Sequence, residues 1–115
     1  MITDSTRSKV ATDLVTLINA GSAKIGLGGN STSPAATGLD VPIDSITVAL
    51  NAIKSDENVI EIKVSVAGSS IAGKVIREVG VFDTSNNLLV RNNFTGVGPF
   101  SSTETLELFI IWEIE

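Results

Sequence analysis

Between Val59 and Ala67 apolar and polar residues alternate without a break. Ile60, Ile62, Val64 and Val66 fall on one side, and Glu61, Lys63 and Ser65 on the other. A period of two sends successive side chains to opposite faces of an extended chain, so this segment reads as a strand with one dry face. Upstream, Ile46, Val48 and Leu50 alternate with Thr47, Ala49 and Asn51. The polar run Ser55-Asp56-Glu57-Asn58 between the two segments makes them a hairpin. Downstream, Val75, Val79 and Val81 share one face, and Ile76, Glu78 and Phe82 the other. A turn through Asp83-Thr84-Ser85-Asn86-Asn87 follows, where Asn86 and Asn87 suit positive φ, and leads into Leu88-Leu89-Val90-Arg91.

The closing segment repeats the alternation. Leu106, Leu108, Ile110, Trp112 and Ile114 form one face, and Thr105, Glu107, Glu113 and Glu115 the other. Phe109 and Ile111 interrupt the polar set, so this strand carries apolar surface on both faces. The second face needs cover, from a helix or from another subunit. Two shorter extended pieces precede the first hairpin: Lys24-Ile25-Gly26-Leu27, and Leu39, Val41 and Ile43, where Pro42 restricts the segment to an edge or bulge.

Only the N-terminal segment has a helical period. Val10, Leu14, Leu17 and Ile18 fall at i, i+4, i+7 and i+8, which predicts a helix from about Ser5 to Asn19. Asp4 or Ser5 can cap its start, and Gly21 stands where a left-handed C-cap belongs. A helix of about four turns is marginal alone, so its stripe must dock on the sheet. The expected fold is mainly β: an antiparallel β-sandwich or open barrel with one N-terminal α-helix packed on it. Its 115 residues suit a single domain spanning 1–115, with the helix at about 5–19 and the β part at about 23–115.

The inventory narrows the function. There is no Cys and no His, which removes disulfides, Cys/His zinc sites, thiol nucleophiles and His-based triads. The net charge of −5 argues against a phosphate-backbone partner. No stretch approaches the roughly 20 apolar residues that span a bilayer, and the N-terminus lacks the apolar core of a secretory signal. The expectation is a cytoplasmically made protein, with no nucleic acid or membrane as partner and no catalytic residue, cofactor or metal site.

Local matches to ligand-binding motifs fail on context. Gly68-Ser69-Ser70-Ile71-Ala72-Gly73-Lys74 fits the start of a phosphate-binding loop, but Val75 replaces the Mg-binding hydroxyl and a strand follows instead of a helix. Gly26-Leu27-Gly28-Gly29 runs into a polar loop containing Pro34, with no helix to receive a pyrophosphate. The acidic residues of the C-terminal region, Glu104, Glu107, Glu113 and Glu115, read as solvated faces or as a surface for a basic partner. Arg77 and Glu78 interrupt an apolar strand. As neighbours they point apart, so each is expected to find its partner on an adjacent strand or across a subunit contact.

The order of segments resembles a family of small structural proteins of tailed viruses of bacteria and archaea. Ile25-Gly26-Leu27-Gly28-Gly29-Asn30-Ser31-Thr32-Ser33-Pro34-Ala35-Ala36-Thr37-Gly38-Leu39 is similar to its "IGxGTxxPxxxDTxL" stretch. Ile76-Arg77-Glu78-Val79-Gly80-Val81-Phe82-Asp83 resembles "ITEAGLFD", Leu88-Leu89-Val90-Arg91-Asn92-Asn93-Phe94 resembles "LLARxxF", and Leu106 to Ile114 resembles "LTVTWEI". The chain departs at Gly29-Asn30, where the family usually has Thr, and at Gly38-Leu39-Asp40, which replaces the usual Asp-Thr before the leucine. From Ile46 to Val66 the likeness is in β content alone.

The resemblance implies a non-enzymatic virion structural protein of a bacteriophage-like particle. Such a protein assembles with itself, with a homotrimer expected, and docks on the major capsid or tail proteins as a capsid decoration or part of the tail fibre or tip. The alternative is a receptor- or carbohydrate-binding tail-fibre tip, against which the scarcity of aromatics counts. Candidate interface residues are Arg77, Glu78, Phe109, Ile111 and Glu113, with Asn30 and Pro34 in the glycine-rich loop.

Overall fold

The computed structural model describes residues 1–29 and 36–115. Helix α1 (Asp4–Ala20) is followed by strands β1 (Ser22–Gly26), β2 (Ala49–Asp56), β3 (Val59–Ala67), β4 (Ile76–Phe82), β5 (Leu88–Val97) and β6 (Thr105–Glu113). They form two antiparallel three-stranded sheets, ordered β1-β4-β5 and β2-β3-β6. Their inner faces share one apolar core, to which α1 also contributes. The mainly β, sandwich-like architecture with one packed helix is therefore the one the alternation implies.

At the centre lies β3, whose Ile60, Ile62, Val64 and Val66 are all buried, as the alternation requires. Each such side chain contributes about 1.5–3 kcal/mol by leaving water. Opposite them, Leu106 and Ile110 of β6 are buried, and Leu108, Trp112 and Ile114 pack partly against the same core. In the other sheet Ile25, Val79 and Val81 face inward. Ile76 joins them rather than the face of Glu78 and Phe82, because a register irregularity between Ile76 and Glu78 breaks the alternation there.

Helix α1 differs from the expected helix in three ways. Thr3, not Asp4 or Ser5, is the N-cap, and its hydroxyl accepts the Thr6 N–H at 3.3 Å. The buried stripe is Ala11, Leu14, Val15 and Ile18, with Val10 and Leu17 left exposed. Small Ala11 lets the helix approach closely, which rotates the stripe away from the larger residues that define it by hydrophobicity alone. Gly21 is not left-handed (φ −91°). A Cβ there would collide with the Phe82 carbonyl, so the glycine serves a close approach between the helix end and β4.

The helix lies along β2 and closes one flank of the sandwich. The Asn19 side chain donates to the Ala52 carbonyl at 2.9 Å and accepts the Ala52 N–H at 2.8 Å. It thereby occupies the outer backbone groups of an edge strand, a device that blocks unwanted strand pairing. The outer edge of β1 is covered too: Leu27 N–H donates to the Val41 carbonyl and Ile43 N–H to the Ile25 carbonyl, both at 2.9 Å. Pro42 sits in that bridge, at an edge as its missing N–H demands. Among the described residues no helix is long and apolar enough to cross a membrane.

Candidate functional site

Two features of the structure concentrate unusual chemistry: a buried charge cluster on β4 and β5, and an uncovered apolar strip on β6. Glu78 of β4 is the one charged side chain fully buried among the described residues. Its Oε2 accepts the N–H of Gly28 at 2.9 Å and of Val41 at 2.8 Å, and its Oε1 accepts the Asp40 N–H at 2.7 Å. Arg91 of β5, only 9% exposed, places Nη2 3.3 Å from Oε1 and 2.9 Å from Asp40 Oδ2. Its Nη1 donates to the Gly38 carbonyl at 3.0 Å, and its Nε donates to Asn93 Oδ1 at 3.3 Å.

The local sequence makes room for this cluster. A Cβ on Gly26 would strike the Glu78 carboxylate, and one on Gly28 would lie 2.9 Å from Oε2. Gly80 stands opposite Arg91 in the β4–β5 register, two residues from Glu78 on the same face. A Cβ on Gly80 would come within 3.0 Å of Leu39, so its bareness lets Leu39 seat against the sheet. The glycines of Ile25-Gly26-Leu27-Gly28 and of Glu78-Val79-Gly80 thus belong to one arrangement. Both sides of the connection from β1 to β2 are bound to the β4–β5 pair through a carboxylate and a guanidinium.

Chemically the cluster is saturated. The carboxylate receives three backbone N–H groups and a guanidinium, which are charge-assisted bonds of the stronger kind. No buried side-chain nitrogen or oxygen among the described residues lacks a partner. Desolvation of the two charges offsets much of their attraction, so the pair contributes less to net stability than to fixing one loop position; removing one partner costs about 3–5 kcal/mol.

On β6, Phe109 is 57% and Ile111 63% exposed, so no described part of the chain covers them. Helix α1, one of the two expected sources of cover, lies on β2 at the opposite side of the sheet. The strand register arranges the outer face in rows: Ile53, Glu61 and Ile111, then Asn51, Lys63 and Phe109, then Ala49, Ser65 and Glu107. Lys63 Nζ lies 3.3 Å from Glu107 Oε1 within this face. Beside β6, an open groove of about 360 Å³ separates it from β5, lined by Leu89, Val90, Asn92, Ile110, Trp112 and Glu113 among others.

The candidate residues therefore divide. Phe109, Ile111 and Glu113 lie together on exposed β6. Arg77 is exposed on β4, and no described carboxylate pairs with it. Glu78 finds its partner on the adjacent strand, one of the two expected possibilities, but its place among the interface residues is corrected: fully buried, it has no surface to offer another subunit. Asn30 and Pro34 lie outside the described residues. Arg91, Asp40, Gly26 and Gly28 complete the cluster and were not among the candidates. The available signal was a lone arginine ending the apolar run Leu88-Leu89-Val90, one strand away from a lone glutamate.

The phosphate-loop-like stretch adopts a 3-10 turn at Gly68–Ser70 and continues into β4. No protein-family model matches the chain, and no curated protein matches it.

Proposed function

We propose that the chain is a non-enzymatic structural component of a tailed-virus particle, assembling with copies of itself and docking on the capsid or the tail. The observation that carries this reading is where the family-like residues fall. The glycines of the first family-like segment, Glu78 of the second and Arg91 of the third meet in one saturated cluster. These segments thus share a mechanical task, holding a long connection against a sheet, and none of them presents a group free for chemistry. The fourth segment, β6, carries the exposed strip through which such a module would meet a neighbour.

Quantitative mass spectrometry of density-purified particles from a lysate of the virus encoding the chain tests the proposal. Peptides of this protein at hundreds of copies per particle would place it on the capsid, and a few tens or fewer on the tail, since coats and tails differ in symmetry. Absence from intact particles alongside abundance in the soluble lysate would overturn it. No specific observation favours the receptor- or glycan-binding alternative.

A further inference from the structure

We propose that the free edge of β6 pairs with the same edge of a second copy, antiparallel and about a two-fold axis at Phe109. The inference deepens the self-assembly part of the reading above and rests on it. The backbone directions come from hydrogen bonds at two independent places. Ile114 N–H donates to the Asn58 carbonyl at 2.7 Å, so along β6 and its extension the even-numbered residues turn their backbone groups toward β3. On the far side, Asn19 holds Ala52 from outside the sheet, so Ile62, opposite Ala52, must turn its groups toward β6, facing Ile110. The two agree.

Thr105, Glu107, Phe109, Ile111 and Glu113 consequently aim their N–H and C=O groups away from the sheet, and among the described residues nothing receives them. The same residues carry the exposed Phe109 and Ile111 side chains. Other edges are managed. β2 is capped by Asn19, β1 is bridged by Val41–Ile43, and the β4–β5 pairing of edge strand β5 is broken at two places, with Gly96 in β5 at φ +117°. By contrast β6 keeps an unbroken register with β3 from Thr105 to Glu113 and contains no Lys, Arg or Pro. A regular edge without such blocks is a template for strand addition.

The side chains select the partner and the register. With Phe109 opposite Phe109 of the second copy, Glu107 faces Ile111 and Thr105 faces Glu113, so no like charges meet. Sliding one strand by two residues, to put Phe109 opposite Ile111, sets Glu107 against Glu113 twice. Centring on Ile111 instead sets Glu107 against Glu115 twice. Like charges directly opposite destabilise an antiparallel pair, whereas aromatic pairs support it. The acidic residues of β6 thereby exclude the registers shifted toward its C-terminal end, and the opposite two-residue slide, which sets Phe109 against Glu107, forfeits the aromatic pair. The Phe109-centred arrangement is thus the favoured one, and it joins the two β2-β3-β6 sheets into a continuous six-stranded sheet.

The test uses the whole chain, which has no cysteine of its own. Light scattering on a sizing column across a dilution series is expected to give about 24 kDa, twice the 12.0 kDa chain. Phe109→Lys, which sets two ammonium groups together at the axis, is expected to raise the dissociation constant at least tenfold while leaving the circular dichroism spectrum unchanged. Phe109→Cys is expected to crosslink to itself through a short bismaleimide. Glu107→Cys should not, because four residues at about 3.4 Å each separate its two copies.

A monomer at every concentration, a three-copy species of about 36 kDa, a dimer indifferent to Phe109→Lys, or equal crosslinking at the two cysteine positions would overturn the proposal. If these solution tests fail while the chain is still found in purified particles, the virion reading stands and only the β6 contact is lost.

Discussion

The two flanks of the sandwich solve the same problem differently. At the β1/β2 flank, backbone groups that would face water find partners in the chain: Asn19 on Ala52, and Val41–Ile43 along β1, with Glu78 and Arg91 fixing the connection that supplies the latter. At the β5/β6 flank the inner face is just as apolar, but β6 is left uncapped beside an open groove and carries Phe109 and Ile111 outward. The contrast separates what the fold needs to exist from what it presents to others. The one fully buried charge among the described residues sits where it closes the monomer, and of the apolar side chains within the strands the two most exposed, Phe109 and Ile111, sit where closure has stopped.

The sharpest way to break the contrast is to disable the closed flank. Glu78→Leu leaves Arg91 without its buried carboxylate and removes the acceptor for the N–H groups of Gly28, Asp40 and Val41. The expected loss is about 3–5 kcal/mol, read from urea unfolding midpoints. A loss under about 1 kcal/mol, within the range of an ordinary surface substitution, would mean that the cluster does not hold the connection.

Asn19→Ala strips the β2 edge of its cap. It should cost about 1–3 kcal/mol, since a part-buried backbone donor and acceptor lose their partners, and should increase aggregation at high concentration. A stability unchanged from the parent would show that water replaces Asn19 at no cost.

On the open flank the stability effect should nearly vanish. Phe109→Lys, at a residue 57% exposed, is expected to move the unfolding free energy of the monomer by no more than about 0.5 kcal/mol, measured at dilutions where association is absent. A large loss there would mean that Phe109 packs within the chain, and the difference between the flanks would disappear.

The smallest effect concerns the β4–β5 turn. Hydrogen bonds from the Asn87 backbone and side chain, and from the Ser85 N–H, hold the Asp83 carboxyl below its ordinary 3.8. Because the folded-state value lies below the unfolded one, the associated stability is present above the unfolded pKa and is lost as pH falls through the folded one. The gap in urea midpoint between the parent and Asp83→Asn should therefore shrink as pH drops from 5 toward 2, following the usual carboxylate range. A gap independent of pH would mean that the carboxylate charge contributes nothing to the turn.

Much of this molecule was legible residue by residue. The β3 alternation placed Ile60, Ile62, Val64 and Val66 in the core, and the hairpin to β2 followed, although β2 runs on through Ser55 and Asp56 of the expected turn; Asn86, but not Asn87, takes positive φ (63°) in the turn that Asp83 organises. These are local matters: a period of two has one reading, and a tight turn needs a residue that tolerates a left-handed backbone. The helix existed where its period indicated, but its docked face was rotated, because whether Ala11 or Val10 meets the sheet depends on how near the helix can come.

Glu78 marks the boundary between the two kinds of knowledge. Its neighbours in sequence establish a charge in an apolar strand that must be paired, because an unpaired buried charge is prohibitively costly. Which group pairs with it depends on strand order, and on a register irregularity that shifts β5 against β4 and brings Arg91 within 3.3 Å. Likewise, the alternation around Phe109 and Ile111 was enough to identify a surplus apolar face, whereas only the docking of α1 on β2 decided that the chain itself would not cover it. Periodicity is a property of neighbours and survives in one dimension; pairing partners and uncovered edges depend on where distant segments come to rest.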